Sequence, residues 1–433
     1  MELLMPRFKI ALWRAMFLLA AFGLADEVMV PAAADAAPSA RDVAVHYADL
    51  AAAIYGDAAG QAKLLQERIN TFLAAPSPAV LESARTQWKQ ARIPYLQSEG
   101  FRFGSATVDA LEPRVNAWPL DEGLIDYVAP AYGTHSDENP LYALNVVATR
   151  EIRVGARPID ASAIDEKLLR SLQEAEGVQT NVSTGYHAVE FLLWGQPVHG
   201  QGPAIGQRPA TDYDLAHCSH GNCDRRAAYL RTAAGLLSAD LAQMAADWKA
   251  DGKARNELLG KDDQGALSQI LTGLGSLSFG EMAGERMKLG LELHDPEEAQ
   301  DCFSDNTHNS HYYDEVGIAD LWTGRYVADD GRVVQGTSIS EYAMASDPAA
   351  ARGLDAAIAN TLVKIKVIKD SADSGRMGYD QMISSGNAAG NKLVQDAMDA
   401  LVAQTRAIEA VAASLKLQVA SNKSDHSSDT LLR

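Results

Sequence analysis

An all-α protein of up-and-down helices is the fold class this sequence predicts. First, Leu230, Ala234, Leu237, Leu241, Met244 and Trp248 follow a 4-3-4-3-4 spacing, the stripe that a helix buries in a bundle. Second, Val394, Met398, Leu401, Thr405, Ile408, Ala412 and Leu415 repeat that pattern near the C-terminus. Third, strand alternation is nearly absent, and 333–339 is the one short candidate.

In chain order, residues 41–55 and 58–73 read as alanine-rich helical segments, the second stopping before Pro76. Ser77-Pro78 opens a long helix through Trp88 and Arg92, which Pro94 is expected to kink or end. Residues 98–104 form a polar–aromatic loop, and 116–127 a second loop with a short helix after it. Residues 128–160 are punctuated by Pro, Gly and Asn, and 164–173 are helical. The segment 195–209, with four glycines and three prolines, is the best boundary candidate. Beyond it lie a glycine-rich helix at 262–289, a polar stretch at 294–313, and long helices at 343–369 and 388–416. Both halves thus pair bundle helices with a long irregular stretch, and such stretches are usually functional.

The N-terminus reads as a signal peptide. Arg7, Lys9 and Arg14 precede an apolar run at 15–25, and Ala34-Asp35-Ala36 offers a small-x-small cleavage site. That run is too short for a comfortable membrane span, and no later stretch approaches twenty apolar residues. The expected product is exported, with no membrane span. Loss of residues 1–36 removes three basic and four acidic side chains, so the net charge moves from −19 to −18. Such a chain disfavours nucleic acid and anionic membranes. Of three cysteines, Cys218 and Cys223 flank a four-residue turn and are expected to form a local disulfide, leaving Cys302 reduced. The competing arrangement is a metal clip with His217 and His220.

The stretch with most chemistry is Gly185-Tyr186-His187-Ala188-Val189-Glu190, continuing into Phe191, Leu192, Leu193 and Trp194. On a helix, His187 and Glu190 lie one turn apart on one face. Apolar residues cover the remaining circumference, so the pair is expected to be buried and to need a partner. That partner is a metal, as in helix bundles with carboxylate-bridged iron, or the two residues simply hydrogen-bond to each other. Several other residues have plain structural readings. Trp88, Trp118 and Trp194 suit core anchors, and His46, His135 and His199 suit the surface. Arg92 and Arg102 suit neutralisation of buried carboxylates such as Glu99, while Asp301, Asp305 and His308 suit caps of turns and a following helix, with a ligand role as the alternative.

The Gly-x-His-x-x-Glu run at 185–190 resembles the signature of the imelysin family. Trp88, Arg92 and Tyr95 with 98–104 resemble the family's early segment, and 118–127 the next. Residues 221–226, 292–297 and 302–308 are similar to the iron-regulated protein A branch. These segments span roughly 88–314. The resemblance implies two four-helix-bundle-like domains related by duplication, drawn here as 37–205, carrying the motif, and 206–433. It implies a site near the domain interface and a periplasmic role in iron acquisition, with the metal ion or an iron chelate as ligand and other iron-uptake components as partners. Some relatives carry peptidase names.

Glu99, Asp121, Glu122, His187 and Glu190 form a nitrogen–oxygen ligand set that suits iron and zinc alike; the resemblance puts iron ahead of zinc. His187, Glu190, Glu99 and Asp121 are the candidate metal ligands, and Arg102, Asp305 and His308 the candidate pocket neighbours. The expected function is binding of iron or an iron-containing ligand between the two halves. A metallopeptidase is the alternative. Zinc peptidases usually show His-Glu-x-x-His, which is absent here, so His308 or His311 would have to supply the second histidine. A third reading is a protein-docking module with a structural His–Glu pair.

Overall fold

Ser39 accepts a hydrogen bond from the Asp42 amide and starts α1, Ala40–Ala74. This computed structural model describes residues 38–198 and 204–421, so the expected signal peptide and His199 lie outside the described residues. The two segments expected at 41–55 and 58–73 are one continuous helix. Its interior Gly56 and Gly60 are tolerated because packing overrides a weak local propensity. Ser77 caps α2, Pro78–Gln97, with Pro78 in the first turn, where its missing N–H is harmless. Pro94 does not end this helix; the chain stays helical for three more residues.

The other principal helices are α3, Gly185–Trp194; α4, Cys223–Trp248; α5, Asp263–Gly275; α6, Thr307–Thr323; α7, Pro348–Asp373; and α8, Ala388–Ser414. The glycine-rich helix expected at 262–289 is not α-helical throughout: α5 runs into a π-helical stretch, Ser276–Lys288. The polar stretch expected to be irregular through 313 is already helical from Thr307.

The helix α1 packs against α2 and α4, and α3 lies on α2 and α4. On the other side, α7 packs against α6 and α8, and the π-helical stretch against α8. These groups are joined by α6 packing on α2 and α5 on α1. Helices from both sides of residues 205/206 therefore share one core, and the 37–205 and 206–433 division stays a proposal. Leu230, Leu237, Leu241 and Trp248 of the predicted α4 stripe are all buried, as are Val394, Leu401 and Ile408 of α8.

Among the described residues, strands are confined to three antiparallel pairs: Glu151–Val154 with Arg157–Asp160, Pro197–Val198 with Ile205–Gly206, and Arg325–Val327 with Val333–Gln335. The last covers only the first three residues of the expected strand at 333–339, and Ile339 already begins a helix, Ile339–Ser346. Among the described residues no helix is long and apolar enough to cross a membrane.

Cys218 and Cys223 form a disulfide and Cys302 is a buried free thiol. The alternative metal clip is thereby excluded: His220 bonds Asp212 at 2.5 Å and His217 bonds Asp214 at 2.9 Å. His46 is buried rather than on the surface, its Nε2 donating to the Gly324 carbonyl at 2.8 Å, while His135 is exposed. Trp88 and Trp194 are core residues, but Trp118 is only half-buried and lines a cavity.

Candidate metal centre

Gly185 sets the position of α3. Its φ is +88°, and a Cβ there would stand 2.6 Å from the Val115 carbonyl oxygen, so only glycine fits. Two residues on, His187 is fully buried, and its Nδ1 lies 3.1 Å from Glu190 Oε2, equally buried one turn later. The third member comes from the loop before α6: Asp301 Oδ1 lies 3.7 Å from His187 Nδ1. One ligand atom from each of His187, Glu190 and Asp301 falls within 4.8 Å of the others, the one such group of three or more among the described residues.

The rest of the loop holds these side chains in place. The Ser304 amide donates to Glu190 Oε1 at 2.9 Å. Asn306 Nδ2 donates to Asp301 Oδ2 at 3.1 Å, and the Ser310 hydroxyl donates to the same oxygen. Arg92, with no exposed surface, donates to Asp301 Oδ1 at 2.9 Å and to Asn116 Oδ1 at 2.5 Å. Its guanidinium packs over Tyr186 at 5.1 Å and Trp88 at 5.7 Å from the ring centres.

These surroundings set the protonation states. Burial, and then Arg92, lowers the His187 imidazole to about 3, so it is neutral at physiological pH. Burial, and then the Asp301 charge, pushes Glu190 well up. Burial also works upward on Asp301, but Arg92 and His187 outweigh it and hold that carboxyl at about 2. The trio is thus one ionised carboxylate, one carboxyl that gives up its proton reluctantly, and a neutral imidazole whose Nε2 has no hydrogen-bond partner among the described residues.

The family model for imelysin, a peptidase family by name, matches residues 51–408. The chain belongs to the imelysin family. Iron-regulated protein A of Synechococcus elongatus is 36% identical over 67 residues, 16% of this chain and 19% of that protein's length. A solved structure named as an iron-regulated protein A precursor from Parabacteroides distasonis superposes with a TM-score of 0.61 at 15% identity, covering 88% of this chain and 97% of that one. An imelysin-like protein from Psychrobacter arcticum gives 0.56 at 17% identity, covering 88% and 96%. At those identities the two structures establish the shared fold.

Within this imelysin-family chain, the expected site residues are sorted differently from the sequence reading. Glu99 does not join the trio. Its Oε2 accepts from Arg286 at 2.5 Å and its Oε1 from Asn116 at 3.1 Å. Arg286, in the π-helical stretch, also meets Asp314 at 2.8 Å and Glu281 at 3.4 Å. Arg286 is thus an ion-pair partner of Glu99, whose charge also acts on Arg92. Arg102 instead faces Glu281 at 3.0 Å and Glu112 at 3.7 Å. Asp121 stands outside the trio, accepting from Asn139 at 2.5 Å and Thr180 at 2.6 Å. Asp305 is half-buried, pushed up to about 7 by burial and then by Asp380. His308 bonds Asp373 at 3.0 Å, and burial lowers it to about 4.

Asp121 and Glu122 line a cavity of about 200 Å³, together with Asp295, Glu297 and Glu298. Cys302 and Phe303, which directly follow Asp301, also line it.

Proposed function

We propose that this imelysin-family protein is exported and binds iron, as an ion or a small chelate, at His187, Glu190 and Asp301. The observation that carries the proposal is the close approach of three buried ligand atoms from α3 and the α6 loop, one of them on a neutral imidazole with an unpartnered ring nitrogen. One nitrogen and two carboxylate oxygens suit iron, with zinc behind it. Iron held there would supply a Lewis-acidic, redox-active centre. The chain's own part is to keep His187 neutral, Asp301 ionised through Arg92, and Glu190 oriented by the Ser304 amide. Five acidic side chains line the cavity that Cys302 and Phe303, next to Asp301, also line, and that lining supports a cationic ligand.

The depth of the trio supports binding over cleavage, since none of the three side chains has exposed surface for a peptide to reach. The basic-then-apolar N-terminal sequence supports export, as does the precursor name of the Parabacteroides relative. A periplasmic place in iron acquisition extends the same reading.

The test is metal analysis of the purified mature chain, then calorimetric titration with ferrous iron and with zinc. His187→Ala should lower metal affinity about 10–100-fold or more while the protein stays folded. Unchanged metal binding, with stability lower by about 1–3 kcal/mol from an unpaired buried glutamate, would instead make the pair structural.

A further inference from the structure

The helix α6 carries a second histidine and carboxylate one turn apart, His311 and Asp314, repeating the spacing of His187 and Glu190 on α3. Both are fully buried. Among the described residues, neither ring nitrogen of His311 has a hydrogen-bond partner, and neither does Asp314 Oδ1; Asp314 Oδ2 is taken by Arg286. Buried polar atoms are nearly always satisfied, so three orphaned atoms on one turn of helix point to a ligand. Their chemistry, imidazole nitrogen and carboxylate oxygen, is that of a transition-metal site.

The pair borders the first group. Ser310, next to His311, donates to Asp301. His187 and His311 both sit in the field of Asp301 and Arg286. Yet neither His311 nor Asp314 belongs to the set whose ligand atoms lie within 4.8 Å of one another, so an ion at His187 is not the ion these atoms would hold.

We propose that His311 and Asp314 are a second metal-ligating pair beside the His187–Glu190–Asp301 group, so that the buried centre takes two transition-metal cations. This rests on the metal reading of the first group and deepens it.

The experiment is calorimetric titration of the full mature chain with zinc and, anaerobically, with ferrous iron, together with metal content after dialysis. The variants are His311→Phe, Asp314→Asn and His187→Ala. His311→Phe keeps a ring against Tyr379, whose centroid is 5.0 Å away, and removes only unpartnered nitrogens, so it should fold and melt no lower than wild type without metal. The expected result is two ions per wild-type chain. In His311→Phe one ion remains at undiminished affinity, and the other binds at least about 10-fold more weakly. One ion per wild-type chain, weakened by His187→Ala and untouched by His311→Phe, overturns the second pair and leaves the first. One ion lost in both variants also overturns it, in favour of a single shared site. Binding indifferent to His187→Ala and His311→Phe, or no binding at all, overturns both readings.

Discussion

Replacing Arg92 with methionine should destabilise the metal-free protein and strengthen its hold on metal. The guanidinium is fully buried between Asp301 and an aromatic wall of Trp88, Tyr95 and Tyr186. Methionine fills much of that volume but brings no charge. Asp301 is held at about 2 against an ordinary 3.8; at about 1.4 kcal/mol per pH unit, that depression is worth about 2–3 kcal/mol. The sign follows from the depression: the stabilisation is present above pH 4 and is lost as pH falls towards 2. Without Arg92, burial acts on Asp301 with less opposition, and breaking a buried pair on one side typically costs about 3–5 kcal/mol. Scanning calorimetry of the metal-free variant at pH 7 should therefore show melting lowered by several degrees. A bound cation takes over the lost charge, so saturating zinc should raise the melting temperature of Arg92→Met by more than that of wild type. At about 100-fold excess over Kd, linkage gives about 2.7 kcal/mol. Equal melting of the metal-free proteins would refute the ion-pair argument. Weaker metal binding in the variant would refute the claim that Arg92 and the cation oppose each other at Asp301.

Gly185→Ala should lower stability by at least about 2 kcal/mol in denaturant titration, because the positive φ and the 2.6 Å approach to Val115 admit no Cβ. Thiol titration of the unfolded, unreduced chain should count one free thiol, Cys302; reduction of Cys218–Cys223 should cost only about 2 kcal/mol, since the closed loop is short. Burial raises Asp320 to about 7, against the Gln97 hydrogen bond. Its contribution is fully present below pH 4 and lost as pH rises to 7, so Asp320→Asn should flatten that part of the melting-temperature profile.

The helical class was legible because α4 and α8 each bury one continuous apolar stripe, and such a stripe survives in the sequence as spacing. The helix α6 was not legible over its first turns. His308, His311 and Asp314 point into a polar interior, so no apolar period marks them, and the same residues look like a polar loop. The His187–Glu190 pair was readable from one turn of helix. Asp301 was visible only as one acid in a polar stretch, because its partners arrive from 209 residues away in Arg92 and from α3. Glu99 shows the reverse error. A carboxylate next to arginines reads the same whether it binds metal or an arginine, and the deciding Arg286 lies 187 residues downstream in a π-helical turn. The hairpin at Glu151–Asp160 had a signal that went unread: Gly155, with φ +57°, sits between two short alternating segments.

The arrangement of buried charges ties segments far apart in the chain to one another. Arg92 stands before residue 205 and its carboxylate Asp301 after it; Glu99 stands before and its guanidinium Arg286 after. Each half taken alone would bury a charge whose counterpart lies in the other. A change of sign at any of these positions is tolerable only with a matching change across the divide. A substitution at Arg92 or Glu99 is therefore felt at Asp301 or Arg286, about two hundred residues further along the chain.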